Sequence, residues 1–405
     1  MFSSEPSQNL MPTPTASPNA SGVEAVVPIE SQAAATIPIL HLINGQYYAG
    51  AERVQDLLAK QLPAFGFSVG FACVKLDLFD EMRTYREAPL YDVPMYGRFD
   101  LAAAWRVADI LRRGEYQILH AHTVRTALIG SLASRITGVP MIHHVHSPAG
   151  RDTHRPLMNR LNSWIERQAL RRASRLIAVS QAIADYLVSE GFDRERITVV
   201  PNGVPAVQPL PQHEKPTKTW TLGVMALFRP RKGVEVLLNT LASLLRQGLP
   251  VQLRAIGGFE SAKYEAEITE LANKLGVSRH ITWTGFTNDV NRELQQTDIL
   301  VLPSLFGEGM PMVVLEAMAA GIPVVGTRVE GVPEAIRDGI DGVLANPDDP
   351  IDLARAIAAI IHGCYNWNVL RTNALDRHAS LFSDVAMARG VAGVYRQVLE
   401  DTDAY

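Results

Sequence analysis

"FGEGMPMVVLEAMAAG" (residues 306–321) places two carboxylates, Glu308 and Glu316, in an otherwise uncharged, largely apolar segment. A carboxylate taken out of water needs a cation or hydrogen-bond donors to meet it. Pro311 suits the first position of a helix, and Gly321 followed by Pro323 suits its end. Glu308 then falls in the loop before the helix and Glu316 in its second turn. Because helix N-termini attract anions, Gly309, Met310 and the free N–H groups of the first turn form a phosphate seat. One carboxylate stands beside that seat, and the other can accept bonds from hydroxyls. Taken alone, the pair also fits a solvated loop acid and a surface helix position.

"FRPRKG" (228–233) shifts the balance. Arg229, Arg231 and Lys232 cluster at a strand-to-helix turn, the edge at which open parallel sheets bind ligands. Cations there can neutralise a departing diphosphate without a metal, although Arg231 also reads as a solvated turn residue. "VEGVPEAIRDGIDG" (329–342) is a further Gly- and acid-containing loop after a later strand.

Outward from these motifs, short apolar runs alternate with helix-length segments. In the first half they are "IPILHLI" (37–43), "FSVGFACV" (67–74), "YQILHAH" (116–122), "PMIHHVH" (140–146) and "SRLIAVS" (174–180). After "ITVVPNGV" (197–204), four prolines mark 205–218, with a linker over 209–218. Alternation restarts with "WTLGVMALF" (220–228) and a helix carrying Val234, Leu237, Leu238, Leu241, Leu244 and Leu245 on one stripe. "VQLRAIGG" (251–258), "HITWTGF" (280–286), "DILVLPS" (298–304) and "IPVVGTRV" (322–329) continue it. The pattern predicts an α/β protein of two doubly wound parallel sheets facing a cleft. The expected parts are a disordered tail (1–36), an N-terminal domain (37–208), a C-terminal domain (219–380) and a last helical segment (381–405) packing back on the first domain.

Composition narrows the function. Of 405 residues, 47% are hydrophobic and 20% charged, with a net charge of −4, so nothing points to a nucleic-acid partner. Cys73 and Cys364 show no metal-ligand spacing and read as buried thiols of a reducing compartment. The first 36 residues contain no Lys or Arg, which argues against a signal peptide. No run reaches a membrane span of roughly 18 apolar residues, so the expected location is the cytoplasm. The arginine-rich stretch 151–175, interleaved with Leu157, Leu161, Trp164, Ile165 and Leu170, is able to dock peripherally on anionic lipid; a solvated helix packed on its own domain reads as well. There is no Walker A sequence, and no G-x-G-x-x-G follows the first strand.

His120, His122, His143, His144 and His146 raise the question of a metal. Their spacing is alternate or adjacent on strands with no acidic partner at a zinc-site interval, so no metal is expected. His144 and His146 share a strand face and His143 takes the other. Asp401–Asp403 forms a D-x-D sequence but lies in the terminal residues and reads as a solvated tail.

The pattern "R-x-x-K-G … GE-x7-E-A-M-A-A-G-x-P-V-V … G-x-x-E … D-G" resembles the retaining glycosyltransferases of family 4, which have the GT-B fold. "GAERV" (50–54), "HAH" (120–122), "HHVHS" (143–147), "AVS" (178–180) and "VPNGV" (200–204) are similar to that family's first-half segments. The resemblance covers about 37–400. It implies sugar transfer, with retention, from a nucleotide-diphosphate sugar to a saccharide or lipid-linked acceptor. It further implies that Glu316 binds the donor ribose, that Glu308 and His146 stand at the reacting sugar, and that Arg229 and Lys232 meet the diphosphate. Gly50 resembles the glycine whose backbone lets the phosphates approach closely, His122 is a candidate on the acceptor side, and no cofactor is expected. Two departures stand out. Arg229 is three residues before Lys232, where the family often has five or six, and Ala49 replaces a second glycine. A nucleotide-sugar 2-epimerase of the same fold and a non-catalytic nucleotide-sugar-binding partner are the alternatives. No motif fixes the base, the sugar or the acceptor.

Overall fold

The computed structural model describes residues 36–46, 48–97, 100–147, 167–207, 214–287 and 289–403. Most of the expected tail, residues 209–213 of the linker and residues 151–166 of the basic stretch lie outside the described residues.

The apolar runs of the first half form β1 (Ile37–Ile43), β2 (Phe67–Cys73), β3 (Leu90–Asp92), β4 (Ile118–Ala121), β5 (Met141–Val145), β6 (Arg175–Ala178) and β7 (Ile197–Val199). All neighbours pair in parallel, in the order β3-β2-β1-β4-β5-β6-β7. The second half repeats the plan with β8 (Trp220–Met225), β9 (Val251–Ile256), β10 (Ile281–Gly285), β11 (Ile299–Leu302), β12 (Val324–Thr327) and β13 (Gly342–Ala345). Its order is β10-β9-β8-β11-β12-β13, again parallel. Covered on both faces, such strands read as continuous apolar runs, which is why most were visible in the sequence. β3 and β13 were not expected: β3 is a three-residue edge strand with no fully buried residue, and β13 starts at Gly342, the end of the stretch 329–342 read as a loop.

In each sheet the winding direction reverses beside the first strand, between β1 and β4 and between β8 and β11. Crevices at such reversals, beyond the carboxyl ends of the strands, are where ligands settle. The loops leaving β8 and β11 are locked together there. Leu305 N–H donates to Arg231 O at 2.8 Å. Gly233 has φ +66°, and a Cβ on it would stand 2.0 Å from Pro303 O, so only glycine fits.

The core beneath the first sheet continues into the second half through Met310, Val314 and Leu315. A second core, around Leu237, Leu241, Leu353 and Ile357, fills the other face of the second sheet. The last helix, Asp384–Asp403, returns to the first half. There Tyr395 is fully buried against Phe67, Gln61 donates to Asp384 at 2.7 Å, and Arg175 meets Asp401 at 2.8 Å. One expectation is corrected: Cys73 is buried, but Cys364 is exposed just past the helix Pro350–Ile361. No helix among the described residues is long and apolar enough to cross a membrane.

Candidate active site

Glu308 is buried at the mouth of the β8/β11 reversal. Its carboxylate accepts from Lys232 Nζ and, at 2.6 Å, from Ser304 Oγ, while Arg231 lies 3.8 Å away. Arg231 is no solvated turn residue: it donates to the carbonyls of Phe306 (3.3 Å) and Gly307 (3.0 Å), holding the loop's shape. Burial lowers the Lys232 pKa; Glu308 counters this, and the neighbouring Arg231 and Arg229 reinforce it. Arg229 leans toward Glu260 at 3.7 Å, so the three cations surround the loop without all meeting Glu308.

The loop is aimed from below by a residue the sequence had not singled out. Glu330 accepts from the N–H groups of Gly307 (2.8 Å) and Glu308 (3.1 Å), and its backbone is left-handed, with φ +29°. A non-glycine residue held there stores strain, a common feature of functional loops. The "VEGVPEA" motif was noticed, but its acid could not be assigned because its partners are main-chain groups.

The helix that follows runs Met312–Ala319 with Pro311 as its N-cap, one residue earlier than expected for that proline. Glu316 occupies the second turn and is buried. Its partner, Arg53, comes from the first half, on the helix Gly50–Gln61. Among the described residues no acceptor meets the N–H groups of Gly309 and Met310, which leaves them available to an anion.

The two halves meet tightly around this point. A Cβ at Gly309 would stand 2.1 Å from His146 O, so the loop of one half touches the end of β5 in the other. Asn202 Nδ2 donates to Met310 O at 3.0 Å. Glu334 accepts from the N–H groups of Gln181 (2.6 Å) and Ala182 (2.8 Å), capping the helix Gln181–Ser189 across the divide. Gly50 opens its helix with nothing within 4 Å of where a Cβ would stand, leaving room for close approach.

His122 and His146 are in contact, Nδ1 to Nε2, at 3.1 Å. They belong to a larger group that includes His41, His120 and His144, with ring centroids 4.2–5.5 Å apart between neighbours. Tyr395 OH lies 2.9 Å from His41 Nε2 and 2.7 Å from His120 Nδ1. Burial pushes the His146 pKa down to about 4 and that of His41 to about 3, and takes His120, His122 and His144 well below the usual value. All five are neutral imidazoles at pH 7. One nitrogen each of His41, His120 and His122, and likewise of His122, His144 and His146, lie within 4.8 Å of one another. Among the described residues these two triads are the groups able to hold a metal ion, which strand spacing had not revealed because the histidines come from three strands.

Partly buried cations at one switch point, a buried carboxylate and N–H groups beside them, and the His146 end of β5 meeting their loop from the other sheet suit transfer of an anion-activated group. The comparisons agree. Residues 48–207 match the family described as Glycosyltransferase Family 4, and residues 219–362 match Glycosyl transferases group 1. A relative from Catenulispora acidiphila, D-inositol 3-phosphate glycosyltransferase 2, is 30% identical over 319 residues, covering 72% of this chain and 73% of its own. An Escherichia coli relative, UDP-Gal:alpha-D-GlcNAc-diphosphoundecaprenol alpha-1,3-galactosyltransferase, is 25% identical over 385 residues, covering 89% and 96%. The Anabaena protein HepE, solved in complex with UDP, shares the fold with a TM-score of 0.78 at 22% identity, over 89% of this chain and 100% of its own. The protein is a glycosyltransferase with the GT-B fold. The chain belongs to glycosyltransferase family 4.

Proposed function

We propose that the enzyme transfers a sugar from a uridine diphosphate sugar to a saccharide or lipid-linked acceptor, with retention at the anomeric carbon, in glycan synthesis. The observation that carries this reading is the Lys232–Glu308–Ser304 cluster at the β8/β11 reversal, one residue from the Gly309–His146 contact with the opposite half. The choice of UDP is supported by the UDP named with HepE and in the Escherichia coli relative's donor. Both sequence relatives' names describe phosphate-bearing acceptors.

In this reading Glu316 takes the ribose hydroxyls. Lys232, Arg229, and the Gly309 and Met310 N–H groups hold the diphosphate, stabilising charge as the anomeric carbon–oxygen bond breaks. His146, neutral at pH 7, faces the sugar, and His122 supports it from the acceptor side. Retention follows from attack on the face that the diphosphate leaves, the departing phosphate oxygen taking the acceptor's proton. No metal is needed, since fixed cations neutralise the leaving group. The protein is cytoplasmic, with the stretch 151–175 meeting an anionic membrane surface. Arg171 and Arg172, in its described part, are exposed.

The test is to incubate the enzyme with a panel of UDP-sugars and acceptors, with and without EDTA, and read the product anomer by NMR. A transferred sugar with the donor's configuration, formed equally in EDTA, supports the proposal. An inverted product contradicts the retaining assignment, and epimerised donor without transfer contradicts the transferase reading.

A further inference from the structure

We propose that His41, His120 and His122 form a site for one zinc ion, a structural centre on the face of the first sheet that the last helix covers. Strand pairing builds it. β1 and β4 run in register with His41 beside His120, and His122 follows two residues on, so the three side chains share one face. Their ring centroids are 4.2–5.2 Å apart, and one nitrogen of each ring lies within 4.8 Å of the other two. All three are buried, His41 and His120 completely. Spacing along the chain argued against a metal because β4 alone supplies two ligands; the third comes from β1.

Hydrogen bonding carries the argument. Each ring has one nitrogen engaged and the other not. His41 Nε2 and His120 Nδ1 both meet Tyr395 OH, at 2.9 and 2.7 Å, and His122 Nδ1 meets His146 Nε2 at 3.1 Å. His41 Nδ1, His120 Nε2 and His122 Nε2 are buried and, among the described residues, have no hydrogen-bond partner. Buried polar atoms are nearly always paired, so each such orphan asks for a ligand. A bound ion takes the lone pair of each orphaned nitrogen and puts the ring proton on the engaged one. His41 Nε2–H and His120 Nδ1–H then both donate to the Tyr395 oxygen, which has two lone pairs, and His122 Nδ1–H donates to His146. Metal-bound histidines almost always donate their second nitrogen in this way. The engaged side of all three rings is therefore already arranged as ligation requires.

Ligand chemistry selects the ion. Neutral imidazoles suit zinc and its neighbours, and the set holds no carboxylate oxygen of the kind that calcium and magnesium need. A tetrahedral zinc ion with bonds of about 2.0–2.1 Å holds its nitrogens roughly 3.3 Å apart, so ligation draws the rings together. The fourth position goes to a water or to His144. Both nitrogens of that ring are also without partners, and its centroid lies 5.5 Å from His120 and 5.3 Å from His122. The ion fastens β1 to β4 and, through Tyr395, to the last helix, and it takes no part at the diphosphate. Ligands this buried release it slowly, so it stays in place while activity is compared with and without EDTA.

The experiment uses the full chain without an affinity tag, produced in zinc-supplemented medium, washed briefly with EDTA to clear surface ions, and analysed by plasma mass spectrometry. The expected content is about one zinc per chain, released when guanidinium unfolds the protein in the presence of EDTA. His41→Gln and His120→Gln should each lower that content about ten-fold or more, while His143→Gln, on the opposite face of β5, keeps it. Tyr395→Phe retains all three ligands and removes only the oxygen that orients two of them. It should stay folded and surrender its zinc to roughly ten- to hundred-fold less chelator, which a mere packing role for the histidines does not predict. Wild-type protein holding less than about a tenth of a zinc ion per chain overturns the inference. So does zinc that survives both His41→Gln and His120→Gln, zinc lost equally from His143→Gln, or unchanged chelator resistance in Tyr395→Phe. Loss with His146→Gln but not with His41→Gln places the ion on the other histidine triad and overturns it as well.

Discussion

Arg53, on the first helix of the first half, donates to Glu316, in the second turn of the helix Met312–Ala319 of the second half. The carboxylate proposed to take ribose hydroxyls is thus held across the cleft by a guanidinium. Burial works to lower the Arg53 pKa, but Glu316, with Tyr48 and Asp56, more than offsets it and the net shift is upward, so the guanidinium stays charged.

Ribose and guanidinium then compete for one carboxylate. Arg53→Gln should tighten UDP binding several-fold at a stability cost of about 1 kcal/mol, the scale of a partly exposed ion pair. Glu316→Gln should weaken it ten-fold or more. Calorimetric titration of both variants checks the two directions, and weaker binding in Arg53→Gln would make Arg53 a ligand of the nucleotide instead.

Glu308 and Lys232 serve the reaction and the fold together. Glu308→Gln should lower kcat by about 10²–10³-fold, the usual scale for losing an electrostatic contact made in the transition state, with the UDP Kd within three-fold. Lys232→Met leaves Glu308 buried without its closest cation and should cost about 3–5 kcal/mol of stability. The double variant should recover part of that loss in a denaturant titration.

Much of this site was legible because its parts are local. Spacing alone placed Glu308 before a helix and Glu316 within it, and the strand runs gave the alternation of both halves; the strand orders, and so the two reversals, came only with the structure. What escaped was whatever depended on distant partners. Arg53 looked like an ordinary helix residue until its partner 263 positions away was known. His41 gave no signal, since its neighbours sit on β4 and β5 and its hydroxyl partner, Tyr395, on the last helix. Glu330 works through main-chain N–H groups, which no side-chain motif records.

Gly309 is wedged against main chain, with His146 O 2.1 Å from where its Cβ would stand. Backbone cannot swing aside like a flexible side chain, so Gly309→Ala should cost about 1–3 kcal/mol by overpacking and push the halves apart. Its melting temperature and kcat should both fall. Full activity with an unchanged melting temperature would show that the contact is not maintained in solution.

The histidine group predicts acid sensitivity. Unfolded histidines titrate near pH 6.5, whereas burial holds His41 at about 3 and His146 at about 4. Below pH 6.5 the unfolded chain therefore binds more protons, and each such histidine removes about 1.4 kcal/mol of stability per pH unit. Urea midpoints should be flat from pH 8 to 7 and fall steeply from pH 6.5 to 5. His41→Phe should make that fall shallower.

The most direct test of the account is a structure of the protein with UDP bound. We expect the diphosphate within hydrogen-bond distance of Lys232 Nζ and the Gly309 and Met310 N–H groups, and the ribose on Glu316 with Arg53 displaced. A nucleotide seated away from Lys232 and Glu316 would contradict it.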